Sequence, residues 1–389
     1  MFDFFKTMKN KTVFIFAWRL TVEKWFDIVL WLCEDIVWTT LEESIHLHIF
    51  GSWSLQNNIP HYSFITYHWF QTKDVVMQTR KKCHYCLVPS RFLETFGLTA
   101  LDSISLWVPV VWYKKWWLAQ FGEGVIQIPE NEKLYKHIKS IINSKSEAEY
   151  SILSKKCIWI AKEYSWQNRK NQFETSLWRP IQWSKIMLVS DYTNNIGGIE
   201  SYIQIVSNKL KEFGAKHVSI VWADVWNATV MRYILLLFSP YNFIIKNRLK
   251  KLIKNTNYDL IWRHSVQRFV WPAPIRFVSK KTHSLQWIMT HDFGLYHPFP
   301  SQVYSEDQLI DSNSFLQRME AGYKCFGSSL LYKILRSVPL FLKYLSSKKI
   351  KKELAKNIDT FLVPSVYMKN ILQNQYKKDV IVKTLSHVI

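Results

Sequence analysis

The sequence predicts an α/β protein with two domains, each built from a parallel sheet and the helices that connect its strands. In both halves of the chain, short apolar runs rich in β-branched and aromatic residues alternate with helical patterns. The alternation restarts at Lys185, after a polar stretch at residues 168–183. A length of 389 residues, of which 48% are hydrophobic, suits two domains with separate cores. We therefore expect two Rossmann-like domains, with ligand sites at the carboxyl ends of their strands.

The first domain is predicted to span residues 1–175, followed by a linker at residues 176–184. Its strand patterns lie at residues 11–18, 46–53, 63–69, 85–89, 108–112 and 125–129. Its helical patterns lie at residues 26–37, 74–82, 98–106, 130–142 and 146–173.

The second domain is predicted to span residues 185–389. It begins with a strand at residues 185–192, a turn that contains Gly197 and Gly198, and a helix. Further strand patterns lie at residues 216–222 and 258–265, within residues 283–300, and at the start of residues 358–372. His291 follows one of these strands, which puts it at the ligand edge of the predicted sheet.

Two carboxylates lie in the βαβ step between residues 85 and 125. Glu94 is in the loop before the helix, and Asp102 lies a turn inside it. Both can face the crevice at the strand ends, and the helix start at Gly97 and Leu98 offers backbone N–H groups to an anion. A nucleotide sugar needs such a set, with N–H groups for its diphosphate and carboxylates for its hydroxyls.

The segment SRFLETFGLTALDSISL, followed by VPVV, resembles the carboxylate signature of retaining glycosyltransferases of family 4, which have the two-domain GT-B fold. In that family both carboxylates are usually Glu, so Asp102 is a departure. Arg19 and Lys24 match two cations that family members place on the donor diphosphate. The sequence GGIE after the strand at Lys185 resembles the opening of the family's acceptor-side domain.

The resemblance implies a role for each candidate residue. Glu94 would hold the donor sugar and Asp102 the ribose, while Arg19 and Lys24 would stabilise the leaving diphosphate. His291 would line the reacting centre, and the glycines at 197 and 198 would let the backbone approach the diphosphate. The co-substrate would be a nucleoside-diphosphate sugar, the acceptor a glycan or lipid-linked hydroxyl, and no metal or other cofactor would be required.

In this chain the nucleotide-binding domain comes before the acceptor-side domain, the reverse of the family's order. The chain is thus predicted to be either a circularly permuted enzyme or a fusion of halves of two glycosyltransferases. A catalytically inactive GT-B-like scaffold is the alternative function.

The formal net charge of +21 implies an anionic partner. Basic runs at residues 246–254 and 332–356 are interleaved with apolar residues, as in helices that lie on anionic membranes, although a solvated helix face has the same pattern. A nucleic-acid-binding protein is a rival interpretation, but no RNA-binding signature accompanies the basic runs. Partners are therefore expected to be the donor, the acceptor and an anionic membrane surface, without nucleic acid.

The five cysteines give no disulfide framework, and the N-terminus lacks a signal-peptide pattern. The sequence therefore predicts a cytoplasmic protein. Any attachment to a membrane is expected to be peripheral, at its inner face. The spacing of Cys83 and Cys86 could suit zinc, but no second pair of ligands follows at matching spacing. Both are predicted to be buried thiols. His264 and His297 are assigned no role.

Tryptophan is unusually frequent, with 19 residues against 10 glycines, whereas glycine normally makes up about 7% of a protein. Where the resembled family has glycine, this chain has tryptophan at 18, 25, 107, 116 and 117. These codons are hypothesised to be UGA, read as glycine in some bacterial lineages and translated here as tryptophan. Trp166 stands where the family itself has tryptophan, so UGG is predicted there.

Overall fold

A computed structural model describes residues 11–91, 94–144, 147–177, 180–190, 198–222, 243–264, 273–291, 352–376 and 381–384. The chain divides into two compact units, the first ending at Asn168 and the second beginning at Arg169. None of the helices within the described ranges is long and apolar enough to span a bilayer.

The first unit contains a six-stranded sheet in which every pairing is parallel. Its order is β3-β2-β1-β4-β5-β6. The chain therefore adds β2 and β3 on one side of β1, and then β4, β5 and β6 on the other side. The strands are β1 (Thr12–Ala17), β2 (Ile45–Phe50), β3 (Ile65–Tyr67), β4 (Tyr85–Leu87), β5 (Val110–Tyr113) and β6 (Val125–Ile128).

Helices connect these strands and cover the sheet. They are α1 (Phe26–Ile36), α2 (Lys73–Arg80), α3 (Leu98–Ser105), α4 (Trp116–Ala119), α5 (Leu134–Ser144) and α6 (Glu147–Glu163). α1 buries side chains at three- and four-residue intervals, including Phe26 and Val29, as expected of an amphipathic helix on a core. The ring of Phe26 lies 5.0 Å from that of Phe16 in β1, which joins the helix to the sheet.

The helix predicted over residues 146–173 is interrupted. α6 ends at Glu163, and a separate helix, α7 (Trp166–Leu177), follows and crosses the division between the units. The backbone N–H of Asn168 donates to the Ser165 hydroxyl at 3.4 Å, so Ser165 caps the new helix. The polar stretch that the sequence analysis noted from residue 168 is thus helical as far as Leu177, and α7 buries Phe173.

The second unit contains another parallel six-stranded sheet, with the order β12-β11-β10-β9-β7-β8. Its strands are β7 (Lys185–Ser190), β8 (His217–Trp222), β9 (Leu260–His264), β10 (Leu285–Met289), β11 (Thr360–Val363) and β12 (Val382–Thr384). Its helices include α8 (Gly198–Glu212), α9 (Phe243–Asn255), α10 (Ala273–Lys281) and α11 (Val366–Tyr376).

Both sheets are wound in two directions from an inner strand, which is β1 in the first unit and β7, next to the edge strand β8, in the second. The prediction of an α/β protein with two Rossmann-like domains is therefore confirmed. In sheets of this kind, ligands bind at the carboxyl ends of the strands where the order reverses. That rule directs attention to the ends of β1 and β4, and to the ends of β7 and β9.

Candidate functional site

The loops after β1 and β4 meet at the reversal point of the first sheet. β1 and β4 are parallel neighbours, with Phe16 opposite Leu87 near their ends. Arg19 and Lys24 follow β1, and Glu94 follows β4, so all three belong to the same edge of the sheet. The fold thus brings together residues that are about 70 positions apart in sequence.

Lys24 and Glu94 form an ion pair between these two loops. The Lys24 ammonium donates to Oε1 of Glu94, and the Ser90 hydroxyl donates to the same oxygen at 3.0 Å. The Lys24 side chain is 5% exposed and that of Glu94 is 20% exposed. Burial lowers the pKa of Lys24, and the Glu94 carboxylate opposes that shift.

The turn that carries Lys24 is held by Thr21. The Thr21 side chain accepts a hydrogen bond from the backbone N–H of Lys24 at 3.3 Å, which caps a short 3₁₀ helix at Val22–Lys24. Arg19 lies earlier in the same turn and is exposed. Its positive charge is a smaller cause of the lowered Lys24 pKa, after burial. One buried and one exposed cation therefore lie together at the sheet edge.

A second ion pair fixes the same two loops. The Arg91 guanidinium donates to Asp27 Oδ2 at 2.6 Å, and the Arg91 backbone N–H donates to the Glu23 carbonyl at 3.0 Å. Asp27 lies in the first turn of α1, so the loop after β4 is tied to the start of that helix. The sequence analysis missed the Arg91–Asp27 pair, whose partners are 64 positions apart, and Ser90, which lies four residues before Glu94.

Gly97 and Leu98 begin α3. Gly97 has φ of 90°, a left-handed conformation that favours glycine. A Cβ at Gly97 would lie 2.7 Å from the ring of Trp117, so a larger residue would also clash. The helix start has no side-chain cap, and Leu98 is exposed. The N-terminus of α3 therefore combines a buried Gly97 with an exposed Leu98, on the loop that carries Glu94.

Asp102, on α3, contacts two cationic side chains of α2. Its carboxylate lies 3.2 Å from the Lys73 ammonium and 3.9 Å from the Arg80 guanidinium. The Arg80 side chain is buried, and that of Lys73 is 69% exposed. Asp102 is thus held by cations of a different element from the one that pairs with Glu94.

In the second unit, His291 lies in a buried cluster at the reversal point of the sheet. His291 Nε2 is 2.9 Å from His264 Nδ1, and the two rings stack with centroids 5.2 Å apart. The ring of Tyr202, on α8, meets His291 edge-on at 5.2 Å. α8 begins at Gly198, whereas Gly197 lies outside the described residues.

His264 and Tyr202 were missed by the sequence analysis. His264 ends β9 and pairs in register with Ser190 of β7 and Met289 of β10. The one available signal was that His264, like His291, closes a β-rich run at the ligand edge. Only the strand order shows that the two runs are neighbours.

Indole rings lie against several of the candidate residues in the first unit. The Lys24 ammonium is 4.1 Å from the centroid of the Trp18 ring, and the Lys115 ammonium is 4.7 Å from that of Trp25. Trp117 is buried against Gly97. The site is therefore lined by cations, one carboxylate and aromatic rings.

No protein-family model and no curated protein matches the chain. Among solved structures, it is similar to Anabaena HepE in complex with UDP, with 15% identity and a TM-score of 0.36 over 44% of this chain and 49% of that one. It is also similar to pneumococcal O-GlcNAc transferase GtfA in complex with UDP and GlcNAc, with 17% identity and a TM-score of 0.34 over 44% of this chain and 36% of that one. A variant of S. aureus TarM with UDP bound is 15% identical, with a TM-score of 0.37 over 44% of this chain and 36% of that one. The chain thus spans less than half the length of each of these proteins.

Proposed function

We propose that the chain is a retaining glycosyltransferase that moves a sugar from a nucleoside-diphosphate donor to an acceptor hydroxyl. The observation that carries the proposal is the Lys24–Glu94 pair, which lies where the strand order of the first sheet reverses. The resemblance of the surrounding segments to glycosyltransferases of family 4 supplies the reaction type. The solved structures to which part of this chain is similar include proteins crystallised with UDP.

The charges of the site suit departure of a diphosphate. When the bond between sugar and phosphate breaks, negative charge grows on the leaving diphosphate, and cations already in position stabilise it without reorganising. Arg19 and Lys24 supply these charges from one turn. The acceptor hydroxyl attacks from the same face and forms the new glycosidic bond as the bond between sugar and phosphate breaks. Its proton passes to an oxygen of the leaving nucleoside diphosphate.

The remaining candidate residues bind and orient the donor. Glu94 accepts hydrogen bonds from the donor sugar's hydroxyls, and its contact with Lys24 orients the carboxylate. Asp102 binds the ribose, and the start of α3 at Gly97 and Leu98 faces the phosphates. The resemblance to family 4 implies that His291, in the second unit, would line the reacting centre and that Gly197 and Gly198 would let the backbone approach the diphosphate. The proposed acceptor is a glycan or lipid-linked hydroxyl, with attachment to an anionic membrane surface.

Glu94→Gln tests this proposal. The change keeps the side chain's shape and removes its charge, so we expect turnover to fall by about 100-fold or more, as for other groups that stabilise a transition state. Release of nucleoside diphosphate from UDP-, GDP- and dTDP-sugars measures turnover, and far-UV circular dichroism reports the fold. Asp27→Asn is the matched control, because it weakens the neighbouring ion pair with Arg91 and leaves the Glu94 carboxylate in place. Equal turnover in Glu94→Gln and the unchanged chain would contradict the assignment.

A catalytically inactive scaffold is the second candidate. The observation that favours it is the crowding of the site by indoles, above all Trp18 over Lys24 and Trp117 against Gly97. Calorimetric titration with UDP and GDP separates the two functions. Binding supports the enzyme, whereas neither binding nor release of nucleoside diphosphate supports the scaffold.

A further inference from the structure

Every residue with positive φ in the described part of the chain is either glycine or tryptophan. The four glycines are Gly51, Gly97, Gly122 and Gly214. The five tryptophans, here called the left-handed tryptophans, are Trp25 (φ 50°), Trp38 (73°), Trp53 (139°), Trp69 (58°) and Trp107 (66°).

Tryptophan has no physical reason to prefer this conformation. With φ above zero, the Cβ of an L-residue crowds the backbone, and a bulky side chain there is an outlier. Asn and Asp tolerate the left-handed region better because their short polar side chains hydrogen-bond locally. Neither occurs among the non-glycine residues of positive φ in the described ranges. If these turns simply accepted any residue that tolerates positive φ, Asn or Asp would be expected among them.

Trp107 occupies the helix-ending position that glycine usually fills. The N–H of Trp107 donates to the Ile104 carbonyl at 3.0 Å, and the N–H of Val108 donates to that of Ser103 at 3.1 Å. This pair of bonds is the Schellman motif, whose left-handed residue is usually glycine. The motif closes α3, the helix that carries Asp102.

The other left-handed tryptophans also lie in turns. Trp25 joins the 3₁₀ turn of Lys24 to α1, and Trp38 follows the end of the same helix. Trp53 and Trp69 follow β2 and β3, and the Trp69 carbonyl accepts a hydrogen bond from Gly51 at 2.9 Å. Trp38 is 93% exposed, so its indole gains almost no burial in return for the strained backbone.

We infer that glycine is the native residue at the five left-handed tryptophans, encoded by UGA codons that the source organism reads as glycine. The backbone criterion is independent of any resemblance to a family. It agrees with the sequence hypothesis at Trp25 and Trp107 and extends it to Trp38, Trp53 and Trp69. Trp18, Trp116 and Trp117 do not have positive φ, so the backbone adds nothing for them.

Glycine at position 25 has a consequence for the site, which rests on the proposed function. The Trp25 ring lies 5.6 Å from Tyr113 and covers the Lys115 ammonium. Lys115 follows β5 and also pairs with Glu130 at 2.8 Å. Without the ring, the face of its ammonium that now meets Trp25 is uncovered beside the turn that carries Lys24. The native site would then offer a bare backbone and a third cation to the diphosphate of a nucleotide sugar.

The stability test compares glycine with alanine at matched positions of the full chain. At Trp38 and Trp107, only glycine relieves the left-handed strain, so we expect each glycine variant to melt on the order of 2–4 °C above its alanine counterpart. Trp31 and Trp159 are the controls, because both are exposed tryptophans inside helices. There the order reverses, since glycine weakens a helix relative to alanine. Alanine variants at 38 and 107 that melt as high as the glycine variants would overturn the inference.

The codons give a second, independent readout. UGA at the five positions, and glycine mass in the corresponding peptides from the source organism, are expected, with UGG at Trp166. UGG or tryptophan mass at those five positions would overturn the recoding.

Titration of the Trp25→Gly variant with UDP keeps this inference separate from the proposed function. Tighter binding than in the unchanged chain supports the enlarged diphosphate site. If the glycine variants are more stable but neither form binds UDP or GDP, the recoding stands and the proposed function fails.

Discussion

His264 Nδ1 and His291 Nε2 lie 2.9 Å apart in a buried, stacked pair. One nitrogen must donate and the other accept, so each ring determines the tautomer of its partner. His291 is the residue assigned to the reacting centre. Under the proposed role of His291, His264 would be a positioning residue that acts through the His291 ring.

We predict that His264→Asn lowers kcat by roughly 10-fold, the scale of lost outer-shell hydrogen bonds elsewhere. It should also change the pH dependence of kcat, because the hydrogen bond between the two imidazole rings is lost. Rates across pH 5.5–8.5 measure both effects. The control is His217→Asn, an exposed histidine on β8. A pH profile that keeps its shape in His264→Asn would reduce His264 to a packing role.

Asp102→Asn should weaken both nucleotide binding and folding. The carboxylate is proposed to bind ribose, and it also faces the buried Arg80 guanidinium at 3.9 Å. Loss of its charge leaves Arg80 less well compensated, so we expect a lower free energy of unfolding by about 1–3 kcal/mol. Urea unfolding and UDP titration measure the two effects.

Lys73→Met separates these roles, because it removes only the exposed partner of Asp102. Exposed ion pairs contribute about 0–1 kcal/mol, so stability should barely change. If Asp102→Asn destabilises the chain but binds UDP as the unchanged chain does, the ribose assignment is wrong and Asp102 is structural.

Acid should destabilise the first unit through His84. Its Nδ1 accepts the Val13 backbone N–H at 2.9 Å, which requires a neutral ring, and burial lowers the pKa of His84 to about 4. The unfolded chain, with an ordinary histidine pKa near 6.5, binds the proton more readily. Stability therefore falls as pH drops from about 6.5 to about 4.

His84→Asn keeps an acceptor for Val13 and cannot be protonated in this range. We predict a shallower loss of stability between pH 6.5 and 4, on the order of 2 kcal/mol less over the window. Urea unfolding at half-unit pH steps measures the slope. The same slope in both proteins would mean that other groups cause the acid sensitivity.

Anionic vesicles should bind the basic helices. α9 exposes Lys246, Lys250 and Lys251 and buries Leu249, whereas residues 332–351 lie outside the described residues. Flotation with phosphatidylserine vesicles should weaken as salt rises, because screening shortens to about 8 Å at physiological ionic strength. Replacement of the three lysines by glutamine should reduce flotation further. Equal flotation with neutral phosphatidylcholine would exclude an electrostatic attachment.

The sequence by itself determined the class of fold and predicted which residues would form the first candidate site. Apolar runs and helical periodicity are local properties, so they located β1, β4 and α3 within a few residues. The residue types at 19, 24 and 94 already indicated cations for a diphosphate and a carboxylate for a sugar.

Only the tertiary structure decided which of these residues meet. The strand order put the loops of Lys24 and Glu94 side by side, paired His264 with His291, and placed Asp102 next to α2. Such contacts join residues far apart in sequence, so no local pattern contains them. For a related reason, the sequence alone did not indicate a left-handed backbone at Trp38, Trp53 and Trp69. The φ angle of each turn depends on the packed elements that flank it. Tryptophan at these positions would instead suggest a negative φ.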